Sequence, residues 1–118
     1  MEIPAAAAAL SALGNERRLA IFRMLVEAGP DGIAAGEIAR RMDMLQNTLS
    51  SSLSVLTHAR VVTSRREGRS IIYSAAYHSI NDLLGFLVHD CCGGDPSRCG
   101  EPFFAVLSQD KAKVANCA

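Results

Sequence analysis

The chain has 118 residues, of which 49% are hydrophobic and 20% charged. That is enough apolar surface for one folded core and too little chain for two. No apolar run approaches the roughly 18 to 20 residues of a membrane span, and the alanine-rich start, Ala5 to Ala9, lacks the basic flank of a signal peptide, so a cytoplasmic protein is expected. Twelve Lys plus Arg balance twelve Asp plus Glu, which excludes a general polycation and leaves any nucleic-acid contact to local charge.

Pro4 suits the first turn of a helix running to about residue 13, with the alanines, Leu10 and Leu13 on one side and Gly14 closing it. Asn15 caps a second helix, in which Leu19, Ile21, Phe22, Leu25 and Val26 recur every three to four residues while Arg17, Arg18 and Arg23 face elsewhere. It stops near Ala28, before Gly29-Pro30-Asp31-Gly32. A two-turn helix from Ala35 to Met42 puts Ile38 and Ala39 inward and Arg40 and Arg41 outward, and a short turn, Asp43 to Leu45, follows. From Gln46 to Arg60, Leu49, Leu53 and Leu56 form a docking seam at i, i+4 and i+7. The other face, with Gln46, Asn47, Ser50, Ser51, Ser54 and His58, has no long charged side chain and suits close approach to another surface.

Two β-prone runs, Val61 to Arg66 and Ser70 to Ser74, flank Glu67-Gly68-Arg69 and predict a hairpin with a basic tip. The last helix spans residues 76 to about 90, where Leu83, Leu84, Leu87 and Val88, widened by Phe86, give a stripe broad enough for the core and a partner subunit. Gly93-Gly94-Asp95-Pro96 ends it, which divides the chain into a domain of residues 1–92 and a tail of residues 93–118.

Charge is segregated along this order. Residues 40–69 hold six arginines against Asp43 and Glu67, for +4, while residues 1–39 and 70–118 each hold three basic against five acidic residues, for −2 each. Two short helices joined by a tight turn, the second polar outside and followed by a basic hairpin, make a winged helix-turn-helix: mainly α, about five helices with a two-stranded wing. In that layout Gln46, Asn47, Thr48, Ser50, Ser51 and Ser54 are the candidate readers of base edges in the major groove. Arg65, Arg66 and Arg69 reach phosphates or the minor groove. A helical hairpin that docks proteins is the competing reading. An enzyme is not expected, because His58, His78 and His89 lack an Asp or Ser arrangement that would activate a nucleophile.

All four cysteines, Cys91, Cys92, Cys99 and Cys117, fall in the last 28 residues, a bunching that suggests metal or redox chemistry in a reducing compartment. Cys91, Cys92 and Cys99 offer three soft thiolates as a set with no His or carboxylate partner. Such a set suits trivalent arsenic or antimony, whose lone pair favours a three-coordinate pyramid, whereas structural zinc takes four ligands. Oxidation of the vicinal pair is an alternative.

Three segments in order, Ala12 to Ile21, Gln46 to Ser50 with Leu53 and Leu56, and Arg65 to Tyr73, resemble the helix opening, recognition helix and wing of the ArsR/SmtB family of metalloregulatory repressors. The resemblance covers about residues 8 to 92. Asn47 replaces the family's usual Pro, and Ser52 stands where many members carry His. The cysteine pattern resembles arsenite-responsive members with a site at the end of the last helix. The Cys-Val-Cys site of the founding arsenic repressors is missing, its positions being Ala34-Ala35-Gly36. The zinc pattern of other members falls on Ala76, His78, His89 and Cys92, so His78, His89 and Cys92 are the alternative zinc ligands. The resemblance implies a homodimeric repressor on a pseudo-palindromic operator, released by As(III), Sb(III) or a methylated trivalent arsenic, the last needing only two thiolates, with no organic cofactor.

Overall fold

In the computed structural model, which describes residues 1–91 and their side chains through Val88, Pro4 lies in the first turn of α1 (Ile3–Leu13). The buried face of that helix is Ala6, Ala9 and Ala12, whereas Leu10 is exposed and Leu13 half-buried. Methyl side chains let the α1 backbone approach its neighbours closely, which a leucine stripe would prevent. Helix α2 (Glu16–Ala28) begins as expected: the Asn15 Oδ1 accepts from the Arg18 backbone N–H at 3.1 Å. The Arg18 Nε in turn donates to the Ala12 carbonyl at 2.7 Å, satisfying an orphan group at the end of α1 and fixing the corner from both sides. Ile21, Phe22 and Leu25 are buried, while Leu19 and Val26 of the same expected stripe remain exposed.

Gly32 leads into β1 (Ile33–Ala34), a strand absent from the sequence reading. It pairs antiparallel with β3 (Ser70–Ala75), Ile33 opposite Tyr73, so the hairpin joins a three-stranded sheet in the order β1-β3-β2 with β3 in the middle. Two residues are too few to show a period of two, which is why β1 read as loop. Gly32 is needed there: its φ is 75°, and a Cβ would stand 2.5 Å from the Tyr73 carbonyl oxygen.

Helix α3 (Ala35–Met42) buries Ile38 and Ala39 and ends at Asp43, whose left-handed φ of 52° lets the Met44 N–H return to the Ala39 carbonyl at 3.0 Å. Helix α4 (Gln46–His58) stops two residues before the expected Arg60. Arg60 itself takes a left-handed φ of 65°, and the Val61 N–H closes on the Leu56 carbonyl at 3.2 Å. Leu49, Leu53 and Leu56 are buried, as the seam predicts, and pack among α1, α2, α3 and β2 (Val62–Glu67). The last described helix is α5 (Tyr77–Cys91). Met1–Leu83 form one unit, within which the Tyr77 hydroxyl donates to the Val26 carbonyl at 3.3 Å; α5 continues past that unit.

Candidate nucleic-acid interface

Opposite the leucine seam, α4 exposes Gln46, Asn47, Ser50, Ser51 and Ser54, with Thr48 half-buried on one shoulder. These side chains are short and uncharged. A duplex can therefore approach the helix backbone closely, and hydroxyl and amide groups can pair with base edges. The Ser51 hydroxyl donates to the Asn47 carbonyl at 3.2 Å, so toward an outside partner it is an acceptor. Ser54 stands apart from the N-terminal readers, beside a mainly apolar groove that it shares with Ala8, Ser11 and Ala12 of α1 and with His58. Helices α3 and α4 pack against each other, with Ile38 and Ala39 of the one and the leucine seam of the other all buried.

The strand register separates the three wing arginines. Arg65 pairs with Ile72 and Arg66 with Ile71, so the two side chains leave opposite faces of the hairpin. Arg65 turns back onto the loop between α2 and β1, its Nη2 donating to the Asp31 carbonyl at 2.6 Å and its Nη1 to the Pro30 carbonyl at 3.4 Å. Its Nε meets the Glu67 carboxylate at 3.1 Å. The sequence reading has Arg65, Arg66 and Arg69 reach phosphates or the minor groove; here the Arg65 guanidinium is bonded to the loop and links wing to body. Arg66 makes one long bond, 3.4 Å, to the Gly68 carbonyl. Arg69 is exposed at the turn and makes no hydrogen bond or ion pair among the described residues.

Charge on α3 is also redistributed. Glu37 accepts two bonds from Arg40, one at 2.8 Å from Nε, and one from Arg41 Nε at 3.3 Å. The Arg40 hydrogen bond above all, against an opposing desolvation cost and with help from Arg41, holds the Glu37 carboxyl at about 2, and the same bond to Glu37 pushes the Arg40 guanidinium up. Two of the six arginines behind the +4 count are thus paired to an acid lying just outside that segment. Conversely, Arg17, counted in the acidic flank, lies beside the shoulder of α4, in an open cleft of about 570 Å³ with Thr48, Ser51 and Ser52. Sequence reasoning missed it because proximity across 30 residues leaves no mark on a linear charge count; the Asn15 cap, which fixes where α2 begins, was the available signal.

Cys92, Cys99 and Cys117 lie outside the described residues, as does the tail of residues 93–118. Cys91 ends α5, and nothing is described of its side chain or that of His89. His78 is highly exposed, with its Nε2 3.6 Å from the Asp82 carboxylate. Among the described residues no three His, Cys, Asp or Glu side chains group as a metal site, and no helix is long and apolar enough to cross a membrane.

A family described as a helix-turn-helix domain matches residues 13–65. The nodulation protein NolR of Rhizobium meliloti is 36% identical over 90 residues, covering 76% of this chain and 70% of that protein. A putative arsenical resistance operon repressor ArsR of Halobacterium salinarum is 42% identical over 60 residues, 51% of this chain and 46% of that one. Among solved structures, the homodimeric winged helix-turn-helix DNA-binding domain of Mb0332 from Mycobacterium bovis, a possible ArsR-family transcriptional regulator, superposes with a TM-score of 0.61 at 31% identity. That match covers 75% of this chain and 81% of the other.

Proposed function

The chain belongs to the ArsR/NolR family of winged helix-turn-helix transcriptional regulators, and we propose that it is a homodimeric repressor released from its operator by trivalent arsenic or antimony. The observation that carries the DNA reading is α4: a helix docked by three buried leucines, whose N-terminal outer face bears the uncharged hydrogen-bonding side chains Gln46, Asn47, Ser50 and Ser51, beside a wing with Arg66 and Arg69 exposed. Gln46, Asn47, Ser50 and Ser51 read bases, with Thr48 on the half-buried shoulder beside them and Ser54 at the far end of the same helix. Arg66 and Arg69 hold phosphates, and Arg65 sets the wing that presents them. One such contact set binds weakly, so two copies act together on a pseudo-palindrome with half-sites roughly 34 Å apart. Exposed apolar side chains on α1 (Ile3, Leu10) and on α5 (Leu84, Leu87) suit burial against a second copy, as does the likeness to the homodimeric Mb0332 domain.

The inducer is argued from the chemistry of Cys91, Cys92 and Cys99. Arsenous acid condenses with three thiols, each As–O bond giving way to an As–S bond while the thiol proton leaves with the hydroxyl as water, and the pyramidal product needs no fourth ligand. The six residues between Cys92 and Cys99 span up to about 20 Å when extended, so closing the ligand sphere costs mainly loop entropy. A methylated trivalent arsenic would take two of the three sulfurs.

Operator binding measured with arsenite, zinc and peroxide in separate arms tests this reading. Arsenite is expected to release the parent, and Cys91→Ser or Cys92→Ser to bind DNA normally yet ignore arsenite. Cys99→Ser is expected to lose arsenite while keeping methylated arsenic. A variant with all three replaced by Ser that still leaves the operator on arsenite would overturn the thiolate site. Release by zinc that is lost in a His78→Gln, His89→Gln double variant would instead select the site built from His78, His89 and Cys92, and release by peroxide a redox switch.

A further inference from the structure

The cleft beside α4 meets the base-reading face only at Ser51, and the Arg17 on its other side has no role in the contacts assigned above. Its donors sort by what they already do. Arg18 is spent on the carbonyls of Ala12 and Ser11, and the Ser51 hydroxyl on the Asn47 carbonyl. Left over are the Thr48 and Ser52 hydroxyls and Arg17, whose guanidinium makes no hydrogen bond or ion pair among the described residues. Thr48 and Ser52 stand one turn apart, on the flank of α4 between the buried leucine seam and the outward face of Asn47 and Ser51. When a helix lies in the major groove its outward face meets base edges, and its flanks run beside the phosphate rails.

From this placement we propose that Arg17, with the Thr48 and Ser52 hydroxyls, binds a phosphodiester of the operator backbone alongside α4. The inference rests on the operator reading and adds a contact that neither the wing nor the base-reading face supplies. One guanidinium and two hydroxyl donors match the single charge and two non-bridging oxygens of a phosphodiester. Glu16, at the same cleft, opposes it, so its charge weakens the contact.

The test measures binding of the full chain to an operator duplex and to a scrambled duplex by fluorescence anisotropy, from 50 to 200 mM salt. Arg17→Gln is expected to weaken both duplexes alike, about fivefold per protomer near 0.15 M salt, and to reduce the salt slope by about 0.9 per protomer, with thermal unfolding unchanged. Arg17→Lys should keep the slope, and Glu16→Gln should tighten both duplexes. An Arg17→Gln variant with parental affinity and slope overturns the phosphate contact. So does one that weakens the operator alone at unchanged slope, or one whose weaker binding follows a lower Tm. A parent that binds neither duplex overturns the operator reading and this one together, which separates the two failures.

Discussion

Arg65→Gln separates a strut from a phosphate contact at the same residue. The substitution removes a cation held by the Asp31 carbonyl at 2.6 Å and, at 3.4 Å, by the Pro30 carbonyl, and keeps the hairpin register. A charge-assisted hydrogen bond is worth roughly 1.5 to 3 kcal/mol, but both bonds here are exposed, the Arg65 side chain is 44% exposed and one bond is long, so the loss is about 1 kcal/mol. That energy fixes the wing on the body, so it appears twice: as a fall in Tm of about 4 to 8 °C for a domain of this size, and as roughly fivefold weaker operator binding. The salt slope discriminates. If Arg65 acts through wing placement, the slope stays near the parental value, whereas Arg66→Gln or Arg69→Gln lowers it by about 0.9 per protomer and leaves Tm nearly unchanged. Calorimetry and anisotropy titrations on the three variants read both quantities. A slope loss at Arg65→Gln equal to that of Arg66→Gln, with parental Tm, would refute the strut.

Two further expectations concern stability. Gly32→Ala combines a φ of 75° with a Cβ 2.5 Å from the Tyr73 carbonyl oxygen and 2.8 Å from Ile72 Cγ2. It should cost about 2 kcal/mol or more and detach β1 from β3, read as a lower urea midpoint and lost amide protection at their paired residues. The Glu37 carboxyl, held at about 2 by Arg40 and Arg41 against an ordinary value of 4.5, has a depressed folded-state pKa. Its contribution is therefore present above pH 4.5 and lost as pH falls toward 2, and Glu37→Gln should flatten the stability profile across that window while leaving it elsewhere parallel to the parent. An unchanged acid limb in Glu37→Gln would show that the pair adds nothing to folding.

What could be read from the sequence was whatever repeats within one helix or pair of strands. The leucine seam of α4, the Asn15 cap, the inward Ile38 and Ala39 and the Gly68 turn all follow from local spacing, and the structure has them. What could not be read depends on distant partners. The choice of alanines over leucines on α1 is made by how closely α2 and α4 approach, a fact about those helices and not about α1. Arg65 read as a tip charge because nothing in its neighbours tells that residues 30 and 31 will lie beneath it. Arg40 and Arg41 read as free cations because Glu37 fell outside the counted segment, although i, i+3 and i, i+4 spacing was legible there.

A contact set made mostly of one-phosphate and one-base terms also bounds how the proposed inducer must act. Each arginine lost costs a few-fold, so a switch that disturbed a single contact would leave the operator largely occupied. A hundredfold release requires a coupling of about 2.7 kcal/mol, more than any one of these contacts supplies. The economical way to reach it is to change the relation between the two protomers, because a shift in the spacing of two α4 helices weakens every contact in one half-site together. The thiols are suited to that role by sequence, since Cys91 terminates α5, the helix that also carries the exposed Leu84 and Leu87 proposed to meet a second copy. Linkage then runs both ways: if arsenite lowers operator affinity a hundredfold, operator must lower arsenite affinity a hundredfold, so the DNA-bound dimer holds the three sulfurs in the poorer arrangement.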